Sequence, residues 1–150
     1  MFTQGENAFE KAFYIYNKYK IDCFADDTGL EIETINGEPG VFSSRYAGED
    51  ATFDQNMDKV LTKMSSLKNR NAQFKTVIAL VENGDKKEFE GIVKGTIIKE
   101  KKGGRGFGYD PIFLPAGYKK TFAEMTLEEK NTISHRAIAV RKLIDYIINK

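Results

Sequence analysis

Two adjacent acids, Asp26-Asp27, follow a short apolar run and have the side chains best suited to chemistry. Carboxylates where a strand ends commonly line the ligand crevice of α/β folds. One could bind Mg²⁺, which prefers carboxylate and phosphate oxygens, and the other could polarise a water molecule. Because neighbouring residues of an extended segment point to opposite sides, at most one of them is expected to face a given partner. The competing interpretation is a turn, which Asp-Asp-Thr-Gly also suits and which its composition favours.

A glycine-rich segment, residues 103–111, contains four glycines and two aromatic residues. It matches neither a P-loop nor a dinucleotide-binding fingerprint. Its backbone could approach a flat ring on which Phe107 or Tyr109 stacks, while Asp110 accepts hydrogen bonds from purine N–H groups. A mobile loop with solvated lysines is an equally consistent interpretation. An RNA-binding segment is a third interpretation, weakened by the presence of a single arginine.

The only histidine, His135, lies beside Arg136 at the predicted start of the last helix. Helix N-termini attract electron-rich groups, so two potential cations there indicate an oxygen-bearing partner nearby. A structural hydrogen-bonding role is the alternative for this histidine. Lys11 lies on the first predicted helix, where a lysine is usually solvated.

Hydrophobic periodicity and capping patterns predict the elements that must position these residues. In the first half they are a helix from Thr3 to about Tyr19, a strand over Ile21–Ala25 ended by the two acids, an alternating strand over Leu30–Ile35 with a hairpin turn at Asn36-Gly37, and a helix after Thr52. In the second half they are long strands over 72–82 and 87–98, short strands over 112–114 and 121–123, a short helix near Thr126, and a helix from Ser134 to about Asn149. The inner face of the last helix is expected to contain Ala137, Val140, Ile144 and Ile147. This order predicts a mixed α/β sheet with helices on its faces.

Composition limits the possible classes of protein. A chain of 150 residues with 41% hydrophobic residues predicts one domain with its own core. With 23 basic and 22 acidic residues, no long-range attraction to nucleic acid is expected, although a small anion remains compatible. No stretch approaches the ~20 apolar residues of a membrane span. Cys23 is expected to be a buried, reduced thiol, consistent with a cytoplasmic protein.

Five segments, in order, resemble the Ham1 or inosine triphosphatase family, called RdgB in bacteria. They are Glu6-Asn7-Ala8 with Lys11-Ala12; residues 24–30, Phe-Ala-Asp-Asp-Thr-Gly-Leu; residues 39–48, Pro-Gly-Val-Phe-Ser-Ser-Arg-Tyr-Ala-Gly; residues 106–113, Gly-Phe-Gly-Tyr-Asp-Pro-Ile-Phe; and residues 129–136, which contain Glu-Lys-Asn and Ile-Ser-His-Arg. Together they are far more specific than any one of them alone.

The resemblance implies an α/β fold with a long, curved mixed sheet and two lobes around a nucleotide cleft. It implies a homodimer that uses Mg²⁺ to cleave inosine, deoxyinosine and xanthosine triphosphates to the monophosphate and pyrophosphate. It also implies roles for individual residues. Asp27 would be the general base and bind the metal, supported by Asp26; Lys11 would contact phosphate and Thr28 the substrate; Phe107, in the Phe107-Gly108-Tyr109-Asp110 segment, would stack on the base; and Asp110, Lys130, His135 and Arg136 would read its edge.

Family members carry a strand, a phosphate-binding turn, a helix and a further strand before the segment that matches Thr3. The chain is therefore expected to be an N-terminally truncated member. Two functions remain open at this point: an active pyrophosphatase, or an inactive remnant that binds purine nucleotides.

Overall fold

The computed structural model describes residues 3–150, which form four α-helices and four strands. The helices are α1 (Gln4–Tyr19), α2 (Phe53–Lys63), α3 (Leu127–Ile133) and α4 (His135–Ile148). The strands are β1 (Cys23–Ile32), β2 (Asn71–Glu82), β3 (Asp85–Ile97) and β4 (Phe113–Pro115). Short 3₁₀ turns occupy Glu33–Ile35, Gly40–Arg45, Asp110–Ile112 and Phe122–Glu124.

The four strands form one antiparallel sheet in the order β1-β2-β3-β4. The prediction of a mixed sheet is wrong for residues 3–150, since each strand pairs with the next one along the chain and reverses direction. The predicted long hairpin is confirmed, with Asn83 and Gly84 at its tip, both at positive φ. Antiparallel neighbours need no crossover helix, so the helices are free to cover the faces of the sheet.

Helices cover both faces of the sheet, and the side chains of β1 alternate between them. The Cys23 thiol donates to the Ala12 carbonyl of α1 over 3.0 Å, so the odd-numbered residues of β1 face α1. Asp26 forms an ion pair with Arg136 of α4, so the even-numbered residues face α4. Gly91 of β3 permits the close approach of α4, because a Cβ there would lie 1.9 Å from the His135 carbonyl oxygen.

The main core lies on the α4 side of the sheet, next to the N-terminal end of α4, where His135 contacts Phe74 and Phe122. Its largest fully buried side chains are Phe113 of β4, Phe122, Leu30 and Ile32 of β1, and Met64 at the C-terminal end of α2. A smaller cluster joins Ile78 and Leu80 of β2 to Ala139 and Leu143 of α4. The main core packs β1 against α2, and the smaller cluster packs α4 on β2.

The predicted turn at Asp26-Asp27-Thr28-Gly29 is wrong. These residues pair with Ile78, Val77, Thr76 and Lys75 of β2, and the strand continues to Ile32. The predicted strand over Leu30–Ile35 holds only for Leu30–Ile32, which continue β1, because residues 33–35 form a 3₁₀ turn. The predicted turn at Asn36-Gly37 is confirmed, since both residues have positive φ and the chain reverses there, but only Glu31 and Pro39 pair across it. Cross-strand pairing with a long partner supplies the backbone hydrogen bonds and overrides the local turn composition.

Two further local predictions are wrong. Residues 121–123 do not form a strand, because Thr121 caps a 3₁₀ turn by accepting from the Glu124 amide. The buried face of α4 is His135, Ala139 and Leu143, whereas the predicted Ile144 and Ile147 are 46% and 49% exposed. The buried stripe is displaced because α4 packs on the sheet through the small residue Ala139, opposite Gly91.

The remaining predicted elements are confirmed. Thr3, Thr52, Thr126 and Ser134 accept a backbone hydrogen bond at the N-termini of α1, α2, α3 and α4, respectively. Cys23 is a free thiol, partly rather than fully buried. Within residues 3–150, no helix has both the length and the apolar character needed to cross a bilayer.

Candidate active site

Asp27 lies in the middle of β1 and faces α1, which supplies two polar side chains to it. Asn7 Nδ2 donates to Asp27 Oδ2 over 3.4 Å, and Lys11 Nζ lies 3.7 Å from Asp27 Oδ1. Lys11 Nζ also donates to the Asp26 carbonyl oxygen, so the lysine is not simply solvated. Burial raises the pKa of the Asp27 carboxyl group, while the charge of Lys11 and the hydrogen bond from Asn7 oppose that shift. A carboxylate with a raised pKa is better suited to accept a proton from water.

Asp27 opens onto a groove of about 730 Å³, called the Asp27 groove below. Its lining comes from α1, β1 and the 3₁₀ turn at Gly40–Arg45: Asn7, Glu10, Lys11, Tyr14, Ile15, Ala25, Asp27, Thr28, Val41, Ser44 and Arg45. Its volume lies in the usual range of small-molecule sites. Three matched segments of the sequence meet in this groove.

Asp26 and Thr28 take part in a different set of contacts, on the α4 side of β1. Arg136 Nη1 lies 3.0 Å from Asp26 Oδ2, and Arg136 Nη2 donates to Thr28 Oγ1 over 3.2 Å. Thr28 Oγ1 also lies 2.8 Å from Thr76 Oγ1 on β2. Thr28 borders the Asp27 groove and also accepts a hydrogen bond from Arg136 of α4.

The two acids do not converge on one point, as expected for neighbours in an extended strand. The Asp26 carboxylate is paired with Arg136, and the Asp27 carboxylate faces the groove. Residues 3–150 contain no cluster of three or more His, Cys, Asp or Glu side chains that could hold a metal alone. Asp27 still fits Mg²⁺, because this ion is usually bound by one or two carboxylates, several waters and the phosphates of a substrate.

A second site is formed by the glycine-rich segment and α3. Lys130 Nζ lies 2.6 Å from Asp110 Oδ2, and both side chains are largely buried. The Phe107 amide donates to the same oxygen over 3.1 Å, so neither hydrogen bond uses Asp110 Oδ1. Burial raises the pKa of Asp110, and the hydrogen bond and charge of Lys130 oppose the shift. Phe107 is 55% exposed, with Lys130 Nζ 4.5 Å from its ring centroid, and so offers an aromatic face to a ligand.

His135 is 6% exposed and lies beside this second site among aromatic rings. Its ring stacks on Phe74, with centroids 4.6 Å apart and an interplanar angle of 18°, and Phe122 lies 6.1 Å away. Burial, together with the charges of Lys130 and Arg136, lowers the pKa of His135 to about 3. Its Nδ1 is buried and has no hydrogen-bond partner in residues 3–150. No structural hydrogen bond through Nδ1 is therefore present in residues 3–150.

Tyr109 does not offer its ring to a ligand, because it is buried in the main core. Its hydroxyl donates to the Ser43 carbonyl oxygen over 2.6 Å and so joins the glycine-rich segment to the border of the Asp27 groove. Gly108, between Phe107 and Tyr109, has a φ of +61°, a left-handed conformation that favours glycine. Phe107 is therefore the aromatic residue available for stacking.

Backbone hydrogen bonds hold the glycine-rich segment at both ends, so it is not a mobile loop. The Lys102 amide donates to the Pro111 carbonyl over 2.9 Å, and the Arg105 amide donates to the Ala123 carbonyl over 3.0 Å. Gly103 approaches the backbone so closely that a Cβ there would lie 2.4 Å from the Ala123 carbonyl carbon. These contacts hold Phe107 and Asp110 in place relative to α3.

The sequence did not single out several residues of these sites. Asn7 lies four residues before Lys11 on α1, so helical spacing could have identified it. Ser44 and Arg45 belong to a matched segment, but no chemical signal assigned them a role. Phe74 and Thr76 are ordinary strand residues, and only the register of β2 shows that they contact His135 and Thr28.

Comparison with known proteins places this geometry in a family. The sequence model that describes the Ham1 family matches residues 2–146 of this chain. The chain is 59% identical over 143 residues to a dITP/XTP pyrophosphatase of Flavobacterium psychrophilum, covering 95% of this chain and 75% of the relative. It is 50% identical over 147 residues to a dITP/XTP pyrophosphatase of Porphyromonas gingivalis, covering 97% of this chain and 76% of that relative. The chain thus spans about three quarters of the length of these relatives.

Solved structures show the same fold. The Ham1 protein of Staphylococcus aureus aligns with a TM-score of 0.96 and 39% identity, over 99% of this chain and 78% of the other. A HAM1 protein of Coxiella burnetii also gives a TM-score of 0.96, with 40% identity and the same coverage. The sequence match along almost the whole chain and the shared fold lead to one conclusion: the chain belongs to the Ham1 family.

Proposed function

We propose that this protein hydrolyses dITP, XTP and inosine triphosphate to the nucleoside monophosphate and pyrophosphate, removing them from the nucleotide pool. The observation that carries the proposal is that five separated segments of sequence meet around β1 as two adjoining sites. One site has a carboxylate and cations suited to phosphates, and the other has an aromatic face and buried polar groups suited to a base. The names of the similar pyrophosphatases support dITP and XTP as substrates.

The nucleotide would lie across β1, in the cleft that the family places between two lobes. Its base would stack on Phe107, with its edge toward Asp110, Lys130, His135 and Arg136. Thr28, which borders the Asp27 groove and contacts Arg136, would lie near the middle of the ligand. Lys11 and Asp27 would then meet the phosphates.

The base site suits a 6-keto purine. Such a base has an acceptor at O6 and a donor at N1, which Arg136 or His135 and the Asp110 carboxylate can match. Adenine has the opposite pattern at these two atoms, so the same buried groups would be left unpaired. Leaving a buried polar group without its partner costs about 1–3 kcal/mol, and more if it is charged, so ATP would be strongly disfavoured.

Asp27 would act as the general base that removes a proton from the attacking water. Its raised pKa, caused by burial and opposed by the charge of Lys11, favours this role. Mg²⁺, held by Asp27 and the substrate phosphates, would neutralise charge that develops on the phosphate oxygens. Asp26 would support the site indirectly, because its ion pair holds Arg136 beside Thr28.

We also propose that the protein acts as a homodimer in the cytoplasm, where Cys23 remains a thiol. These two points rest on the family relationship and on the single free cysteine among the described residues. Light scattering with size-exclusion chromatography would measure the oligomeric state. A mass of twice 17.0 kDa is expected, and elution at 17.0 kDa would remove the dimer from the proposal.

The function is tested by product analysis. The protein is incubated with Mg²⁺ and dITP, XTP, ATP or GTP, and monophosphate and pyrophosphate are measured together. Equal release of both products, selective for dITP and XTP, is expected. Binding of inosine monophosphate without turnover of any triphosphate would instead make this chain a purine-nucleotide-binding protein without pyrophosphatase activity.

A further inference from the structure

Arg45 borders the Asp27 groove and has no role in the function described so far. We propose that Arg45 binds the β- and γ-phosphates of the substrate, and hence the pyrophosphate that leaves. The inference rests on the proposed function and extends it to the phosphate end of the ligand.

The backbone around Arg45 is held by one buried side chain. Asn56 of α2, 2% exposed, donates through Nδ2 to the Ser44 carbonyl over 3.2 Å. Its Oδ1 accepts from the Ala47 amide over 2.8 Å, so Asn56 clamps the chain on both sides of Arg45. The Arg45 guanidinium carbon lies 5.0 Å from the centroid of the Phe42 ring, which further limits where the side chain can go.

The guanidinium itself is available to a ligand. Its closest ionic contact is Glu49 Oε1, 4.0 Å from Nε, and both side chains are largely exposed. An exposed ion pair at this distance contributes little. Within residues 3–150, Arg45 makes no side-chain hydrogen bond, so the five N–H donors of its planar fork remain free for phosphate oxygens.

The charges in the Asp27 groove require a second cation for a triphosphate. Glu10 and Asp27 offset Lys11 and Arg45 among its lining residues, and Lys11 is already engaged by Asp27. A polyphosphate therefore needs a further partner beside Lys11. Arginine is well suited, because it can donate two parallel hydrogen bonds to one phosphate.

The position of Arg45 indicates which part of the ligand it meets. Phe107, Asp110, Lys130 and His135 do not line the Asp27 groove, so the base site lies outside the groove that Arg45 borders. A nucleotide with its base on Phe107 can reach Arg45 only with its phosphate chain. The β- and γ-phosphates are the part farthest from the base.

The test compares Arg45→Gln with Arg141→Gln, a control that removes an exposed arginine near α3. For each variant, KM and kcat for dITP, inhibition by inorganic pyrophosphate, and binding of deoxyinosine monophosphate are measured. Arg45→Gln should raise KM and the inhibition constant of pyrophosphate about tenfold or more, the usual range for a lost charged hydrogen bond. Binding of the monophosphate should stay unchanged, and Arg45→Lys should restore part of the loss. The control should match the wild type.

Inhibition by pyrophosphate that is equal in Arg45→Gln and wild type would overturn the inference. Equal weakening of monophosphate and pyrophosphate binding would also overturn it, since that result indicates a structural role. Calorimetric titration of inorganic pyrophosphate with Mg²⁺ separates this inference from the proposed function. Loss of binding in Arg45→Gln would support the phosphate site even if the wild type hydrolysed no triphosphate, whereas no binding by the wild type would overturn it.

Discussion

Acidification should destabilise the fold through His135. The native protein buries this imidazole in the neutral form, against Phe74 and beside the charges of Lys130 and Arg136, and its pKa falls from 6.5 to about 3. The unfolded chain binds a proton near pH 6.5, whereas the native chain resists it until much lower pH. Protonation therefore favours unfolding, and the stability present above pH 6.5 is lost as the pH falls toward 3.

The size of the effect follows from these two pKa values. Between pH 7.5 and pH 4.5 the unfolded state carries the extra proton over about the two pH units below its pKa of 6.5, while the native state gains almost none. At 1.36 kcal/mol for each pH unit, the loss in the free energy of unfolding is about 2.7 kcal/mol. That is a large part of the stability of a domain of this size.

His135→Phe removes the titrating group and keeps a flat ring against Phe74. Urea unfolding of wild type and variant at pH 7.5 and pH 4.5 gives the free energy of unfolding in each case. Taking the difference between the proteins cancels the titration of carboxyl groups such as Asp27 and Asp110. Relative to the variant, the wild type should lose about 2.7 kcal/mol on acidification. Parallel pH profiles would refute the argument that His135 is neutral in the fold.

Two other substitutions test the packing that supports the site. Lys130→Met should lower the free energy of unfolding by about 3–5 kcal/mol, because it leaves the buried Asp110 carboxyl group without its cation; denaturant unfolding measures it, and a loss below about 1 kcal/mol would contradict the pairing. Gly91→Ala should cost about 1–3 kcal/mol or more, because the new methyl group meets the His135 carbonyl at 1.9 Å. Gly104→Ala, where nothing lies within 4 Å, is its matched control and should be nearly neutral in thermal unfolding; equal losses in both glycine variants would contradict the close packing of α4.

Much of the fold could be predicted from local sequence signals. The capping threonines before α1, α2 and α3, and Ser134 before α4, identified helix starts because the hydrogen bond that each makes is local. The β2–β3 hairpin was predicted because its β-branched strands and Asn83-Gly84 turn agree. Where local signals conflicted with long-range pairing, as at Asp26-Asp27, the turn composition misled, since only the register with β2 shows that the chain stays extended there.

The site could be predicted in part for the same reason. Period-two alternation indicated that Asp26 and Asp27 would face opposite sides, and the structure has that arrangement. The partners that each acid finds, Arg136 and Lys11, depend on which helix covers which face of the sheet. No pattern in the sequence around Arg45 indicated that it would border the same groove as Asp27.

Hydrolysis of dITP by wild type and by Asp27→Asn, with Mg²⁺ and with inosine monophosphate binding measured in parallel, tests the central claim most directly. Removing a positioned general base should lower kcat by about 100-fold or more, while binding of the monophosphate stays within about twofold because the base site is intact. Equal rates of pyrophosphate release by the two proteins would contradict the assignment of Asp27 and, with it, the account of the Asp27 groove as the place where the phosphate bond is broken.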